Sequence, residues 1–136
     1  MRVSRVRAFV AIAAIAVAPL AVLRTTNASA QSALTSADTD KDGTLDLGEV
    51  RAAASVAFDK LDEDKDSTLD FKEVAGRITK QELKSVDTDR DQTLTKDEYL
   101  TLVDKLFHAA DKNNDGTLTP AELRTKAGRA LERLLR

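Results

Sequence analysis

From residue 50 to residue 61, apolar side chains recur at Val50, Ala54, Ala57, Phe58 and Leu61. Those steps of four, three, one and three return to one face of a 3.6-residue helix. The stretch VRAAASVAFDKL therefore predicts one amphipathic helix about 18 Å long. The same pattern returns in YLTLVDKLFHAA, with Tyr99, Leu102, Val103, Leu106 and Ala110 on one face. A third set, Leu123, Ala127, Leu131 and Leu134, predicts a closing helix, with Pro120 near its first turn, where a missing N–H costs nothing. Between the first two lies VAGRITKQELKSV, in which Gly76 interrupts the pattern. Thr79 and Glu82 there form a T-x-x-E capping box that starts a new helix. That segment predicts a bend.

Polar clusters of a single kind separate the helices. They read DTDKDGTLDLGE (38–49), DEDKDSTLDFKE (62–73), DTDRDQTLTKDE (87–98) and DKNNDGTLTPAE (111–122). Each carries side-chain oxygens at positions 1, 3 and 5, leucine at 8 and glutamate at 12, the pattern of the EF-hand calcium loop. A hard cation takes six to eight oxygens at about 2.3–2.6 Å, and alternate carboxylates on a tight turn converge on one point. The candidate ligands are Asp38, Asp62, Asp87 and Asp111 at position 1, and Asp40, Asp64, Asp89 and Asn113 at position 3. Position 5 supplies Asp42, Asp66, Asp91 and Asp115, and position 7 the carbonyls of Thr44, Thr68, Thr93 and Thr117. Glu49, Glu73, Glu98 and Glu122 close each shell. Asp46 and Asp70 add carboxylates at position 9, whereas Thr95 and Thr119 read there as helix caps.

The loops differ in quality. Gly43 and Gly116 occupy position 6, where the turn needs positive φ. Ser67 and Gln92 stand there in loops 2 and 3, at a cost of about 1–2 kcal/mol each. Carboxylates at the liganding positions number five, five, four and three along the chain, so loop 3 is expected to be the weakest site.

Short connectors decide the architecture. With 12 residues between loops 1 and 2, one helix must serve both, so neighbouring loops sit at its opposite ends. A bend at Gly76 would bring loops 2 and 3 together and leave loops 1 and 4 to meet at the other end. Leu69 with Leu94, and Leu45 with Leu118, would then bridge the pairs. The expected fold is all-α: a compact three-helix bundle of four EF hands with shared inter-loop helices, its loops paired 2/3 and 1/4.

Composition narrows the function. MRVSRVR, the uncharged run from Ala8 to Leu23 and the small residues Ala28–Ala30 have the three parts of a secretory signal peptide. Cleavage after Ala30 would leave residues 31–136 as one metal-binding domain in the periplasm or outside the cell. The leader's charged residues are all arginines, which leaves 17 basic and 23 acidic side chains, a net charge of −6. That sign argues against nucleic acid and anionic membranes as partners. No cysteine is present to form disulfides. His108 is the only histidine and reads as a surface residue, and no catalytic constellation appears, so an enzyme is not expected. Phe58, Phe71, Tyr99 and Phe107 read as core. The expected form is a monomer binding metal ions, and the sequence identifies no protein partner.

The wording VAFDKLDEDKD (from Val56), the GR…LK connector and the terminal helix from Ala127 to Arg136 resemble the lanmodulin family of periplasmic EF-hand proteins. The resemblance implies fused hands, loop pairing 2/3 and 1/4, ion-triggered folding and preference for trivalent lanthanides over Ca2+. The position-2 prolines typical of that family are replaced by Thr39, Glu63, Thr88 and Lys112. The expected role is a carrier or buffer for Ca2+ and lanthanide ions. The alternative is a periplasmic calcium sensor, but beyond Met1 the chain has no methionine to line an adaptable target groove.

Overall fold

The computed structural model describes residues 36–136, so the expected signal peptide (1–30) lies outside the described residues. The chain is helix-rich with only small strands. In order, the elements are β1 (Leu45–Asp46), α1 (Leu47–Leu61), β2 (Thr68–Leu69), α2 (Lys80–Lys84), β3 (Leu94–Thr95), α3 (Lys96–Ala110), β4 (Thr117–Leu118), α4 (Pro120–Leu123) and α5 (Lys126–Leu134). Among the described residues, no helix is long and apolar enough to cross a membrane.

Local chemistry starts each of α1 to α4. Asp46, Thr79, Thr95 and Thr119 are N-caps, each accepting from the N–H of a glutamate three residues on, whose side chain accepts from the cap's own N–H. α1 buries Val50, Ala54, Ala57, Phe58 and Leu61, and it packs on α3 through Tyr99, Leu102, Val103 and Phe107. The rings of Phe58 and Tyr99 meet edge to face at 5.6 Å. On the outside of the same seam, Arg51 pairs with Asp104, and Lys96 reaches Asp59 at 2.9 Å. Exposed pairs of this kind add at most about 1 kcal/mol each. Each buried leucine or phenylalanine adds roughly 1.5–3 kcal/mol, so the apolar seam dominates.

β1 pairs antiparallel with β4 (Leu45 opposite Leu118), and β2 with β3 (Leu69 opposite Leu94). These four position-8 leucines are essentially fully buried. The chain reverses between β2 and β3 through turns over residues 71–77, with Gly76 at φ +79°.

Three expectations are corrected. The closing helix is broken: α4 ends at Leu123, Arg124 caps it, and Thr125 starts α5 by accepting from the Gly128 N–H at 3.1 Å. Gly128 explains the break, because a Cβ there would meet the Glu122 and Leu123 backbone at closer than contact distance. Leu106 is only partly buried, and its neighbour Phe107 takes the core place. Phe71 is 38% exposed rather than core, because it sits on the turn beyond the β2–β3 ribbon.

α5 lies across α3, where the Tyr99 hydroxyl donates to the Leu134 carbonyl at 2.7 Å. Burial pushes the Tyr99 phenol far above its ordinary pKa, so it remains a neutral donor. The Arg77 side chain, next to the Gly76 bend, donates to the carbonyl of Arg136, and Arg133 Nε donates to the Arg77 carbonyl at 3.3 Å. The C-terminal helix thus ties the bend to the bundle.

Candidate metal centre

All four loops share one hydrogen-bond wiring. At position 1, Oδ2 of Asp38, Asp62, Asp87 and Asp111 accepts from the position-6 N–H at 3.0, 3.1, 3.2 and 3.1 Å. At position 3, Asp40, Asp64, Asp89 and Asn113 accept from the N–H of position 5 at 3.2–3.4 Å. At position 5, Oδ1 of Asp42, Asp66, Asp91 and Asp115 takes both the N–H and the hydroxyl of the position-7 threonine, all at 2.7–3.0 Å. Thr44, Thr68, Thr93 and Thr117 therefore hold a neighbouring ligand in place, a role their sequence positions did not announce. Each loop is held by these four bonds before any ion arrives.

The position-12 glutamate clasps both ends of its loop. Oε1 of Glu49, Glu73, Glu98 and Glu122 accepts from the position-2 N–H at 2.6, 3.0, 2.7 and 3.1 Å. Oε2 accepts from the position-9 N–H at 3.1, 2.9, 3.0 and 3.0 Å. Asp46 and Asp70 each commit one oxygen to capping, at 2.7 Å to the Glu49 N–H and 3.0 Å to the Glu73 N–H. Thr95 and Thr119 cap at the equivalent place.

The backbone pays a conformational cost for this shape. Position 6 lies in the left-handed region in every loop: Gly43 at φ +87°, Ser67 at +72°, Gln92 at +70° and Gly116 at +84°. Position 4 lies there too, at Lys41, Lys65, Arg90 and Asn114, with φ between 56° and 64°. The sequence reading missed that second requirement, and only Asn114, an asparagine that tolerates this region, hinted at it. Each such non-glycine residue costs roughly 1–2 kcal/mol.

Carboxylates converge as the spacing demands. Ligand atoms of Asp38, Asp40 and Glu49 lie within 4.8 Å of one another, as do those of Asp62, Asp64 and Asp66, and of Asp87, Asp89 and Glu98. In loop 4, Asn113 stands where the others have an aspartate, and its amide donates to Asp115 at 2.8 Å. Electrostatics follow the contacts. The Asp42 N–H draws the Asp40 carboxyl pKa down, but burial and repulsion from Asp42, Glu49 and Asp38 outweigh it, and the net shift is upward. Threonine hydroxyls and amides hold Asp42 and Asp91 below the ordinary carboxylate value, and amide, hydroxyl and Asn113 bonds do so for Asp115. Burial opposes ionisation of Glu98, but the amides and hydroxyls of Thr88 and Thr95 prevail and lower it.

One repeated observation bears on what these loops can hold. Oδ1 of Asp38, Asp87 and Asp111 is buried and has no hydrogen-bond partner, at the same loop position three times. In loop 2 the matching Asp62 Oδ1 accepts from the Asp66 N–H at 3.1 Å. A buried carboxylate oxygen without a donor is costly, and a cation at the centre of the ligand set satisfies it. The donors fit a hard ion: all are oxygens, several are anionic, and none is histidine or cysteine. The family model described as EF hand matches residues 31–53 and 102–125. These two matches and the converging carboxylates of loops 1 to 3 support an EF-hand protein. The two matched stretches contain loops 1 and 4, the two with glycine at position 6. No curated protein matches the chain significantly. EF-hand loops bind Ca2+ and related ions. His108 is exposed on α3 and belongs to none of the converging carboxylate groups, with its ring edge-on to Phe107 at 5.7 Å.

Proposed function

We propose that the chain is an exported metal-ion carrier or buffer that binds Ca2+ and, more tightly, trivalent lanthanides, and that folds as it loads. The observation that carries ion binding is the orphaned position-1 oxygen repeated in loops 1, 3 and 4. Preference for the trivalent ion follows from charge. Ca2+ and lanthanide ions are similar in size, so each ligand carboxylate attracts the +3 ion half again as strongly. Desolvation of the +3 ion opposes this, and five carboxylates in loops 1 and 2 tip the balance further than the three of loop 4. The likeness to the lanmodulin family supports the same reading, as does a compact bundle whose loops work in pairs, 2 with 3 and 1 with 4. Export rests on the three-part leader, with a mature chain beginning at Gln31 in the periplasm or outside the cell.

A competition titration against a chelator of known strength reads both affinities in one buffer. The lanthanide is expected to bind more tightly than Ca2+, and Asp46→Asn with Asp70→Asn should weaken the lanthanide more. Equal affinities in the wild type would reduce the reading to Ca2+ alone. Intact-mass measurement of extracted protein tests export, and a chain still starting at Met1 in the membrane fraction would overturn it.

A further inference from the structure

A surface cleft of about 770 Å3 opens beside loop 3, inside the 300–1,000 Å3 range typical of small-molecule sites. Its apolar wall is Phe71 and Leu83. Phe71 is one of only two large apolar side chains exposed among the described residues. Around it stand three cations, Lys80, Lys84 and Arg90, and Lys80 Nζ lies 5.3 Å from the centre of the Phe71 ring. None of the three is ion-paired among the described residues, although the chain is acidic overall. An apolar wall of Phe71 and Leu83 beside three unpaired cations, with the Lys80 ammonium over one face of the Phe71 ring, suits a planar ring bearing carboxylates, which packs on that wall and pairs with the cations at its edges.

The cleft shares its remaining wall with loop 3. Asp87 and Gln92 line it, joined by the Gln92 N–H donating to Asp87 Oδ2 at 3.2 Å. An unloaded Asp87 repels an incoming anion, whereas an ion held by Asp87 neutralises that repulsion. We propose that this cleft binds a small planar organic anion, an aromatic or conjugated carboxylate, and that an ion in loop 3 strengthens the binding. By reciprocity the anion strengthens ion binding at loop 3 by the same factor. The coupling rests on the ion-binding reading, whereas the anion site stands on the cleft alone.

Terephthalate is a suitable probe, because it is a planar dianion whose opposed carboxylates cannot chelate one ion. Titrated into the full, calcium-saturated chain, it should bind saturably at one site and shift the amide signals of Phe71, Lys80, Lys84 and Arg90, while neutral terephthalamide should not. Lys80→Gln with Lys84→Gln should weaken it about tenfold, and Phe71→Ala about threefold. Neither variant should change the number of ions bound. Glu98→Gln, which weakens loop 3 but leaves the other loops loaded, should weaken terephthalate severalfold. No saturable binding, or binding indifferent to the lysines, overturns the site. Equal binding of trans-cyclohexane-1,4-dicarboxylate, with no loss in Phe71→Ala, overturns the planar assignment. Unchanged affinity in Glu98→Gln overturns the coupling. Ion counts taken without any anion report separately on ion binding itself.

Discussion

Loops 1 and 4 make their sharp turn with Gly43 and Gly116, whereas loops 2 and 3 make the same turn with Ser67 and Gln92. The φ angles differ by no more than about 17°, and the position-1 to position-6 hydrogen bond is present in all four. Glycine therefore does not create the turn. The ligand wiring creates it, and glycine removes a cost of roughly 1–2 kcal/mol that the 2/3 end must meet by other means. That end has fewer means: its connecting helix α2 is five residues long and follows a run of turns. The 1/4 end leads directly into α1 and, through α4, into α5 packed on α3. Loop 2 compensates with five carboxylates, while loop 3 has four and the weaker turn.

Removing all ions should have the largest effect. On the proposed reading, repulsion among the acidic ligands crowded at both ends exceeds what the small core offsets, and binding free energy becomes folding free energy. Far-UV circular dichroism should lose much of its helical signal in excess chelator. An unchanged spectrum would show that both ends are held by the core alone. Next in size are the position-12 substitutions. Glu49→Gln and Glu98→Gln each remove a charge and weaken a clasp, a change on the order of 2–3 kcal/mol. Titration calorimetry should show the greater loss for Glu49, in the better loop. Equal losses would mean that the paired loops bind as units and local quality is averaged.

Exchanging turn residues isolates the comparison. Ser67→Gly and Gln92→Gly should each strengthen the 2/3 end by about 1 kcal/mol, roughly fivefold in ion affinity, while Gly43→Ser and Gly116→Gln should cost the 1/4 end a similar amount. Thermal melts of the loaded proteins check the sign, and no change in either direction would remove strain as the distinction between the ends. The smallest effect concerns pH. The Asp40 pKa is raised and the Asp91 pKa lowered, so on acidification Asp40 takes a proton first. A raised carboxylate pKa means protons compete with the ion at higher pH, whereas Asp91 stays ionised until the pH falls below the usual carboxylate range. Loop 1 should therefore lose part of its advantage over loop 3 as the pH falls toward the ordinary carboxylate range. Ion titrations at neutral pH and at a pH just above that range read the ratio directly.

What the sequence by itself determined is whatever a few neighbouring residues decide. Oxygen ligands at alternate positions, a glutamate five residues past position 7, and the caps at Asp46, Thr79, Thr95 and Thr119 all act over one or two turns of chain. Such features are legible because hydrogen bonds within a loop do not depend on what the loop packs against. The face of α1 was legible for the same reason, since helical periodicity alone places Val50, Ala54, Ala57, Phe58 and Leu61 together. Tertiary structure decided the rest. Phe107 is buried as its sequence reading expected, but Leu106 beside it is only partly buried, because α1 and α5 both pack on the Phe107 side of α3. The closing helix breaks because Gly128 must approach the Glu122–Leu123 backbone more closely than any side chain allows. Phe71 stays at the surface because the β2–β3 ribbon turns it away from the bundle, where it meets Lys80. Each of these outcomes depends on how the folded chain turns back on itself, and the spacing of apolar residues along one helix carries no record of that path.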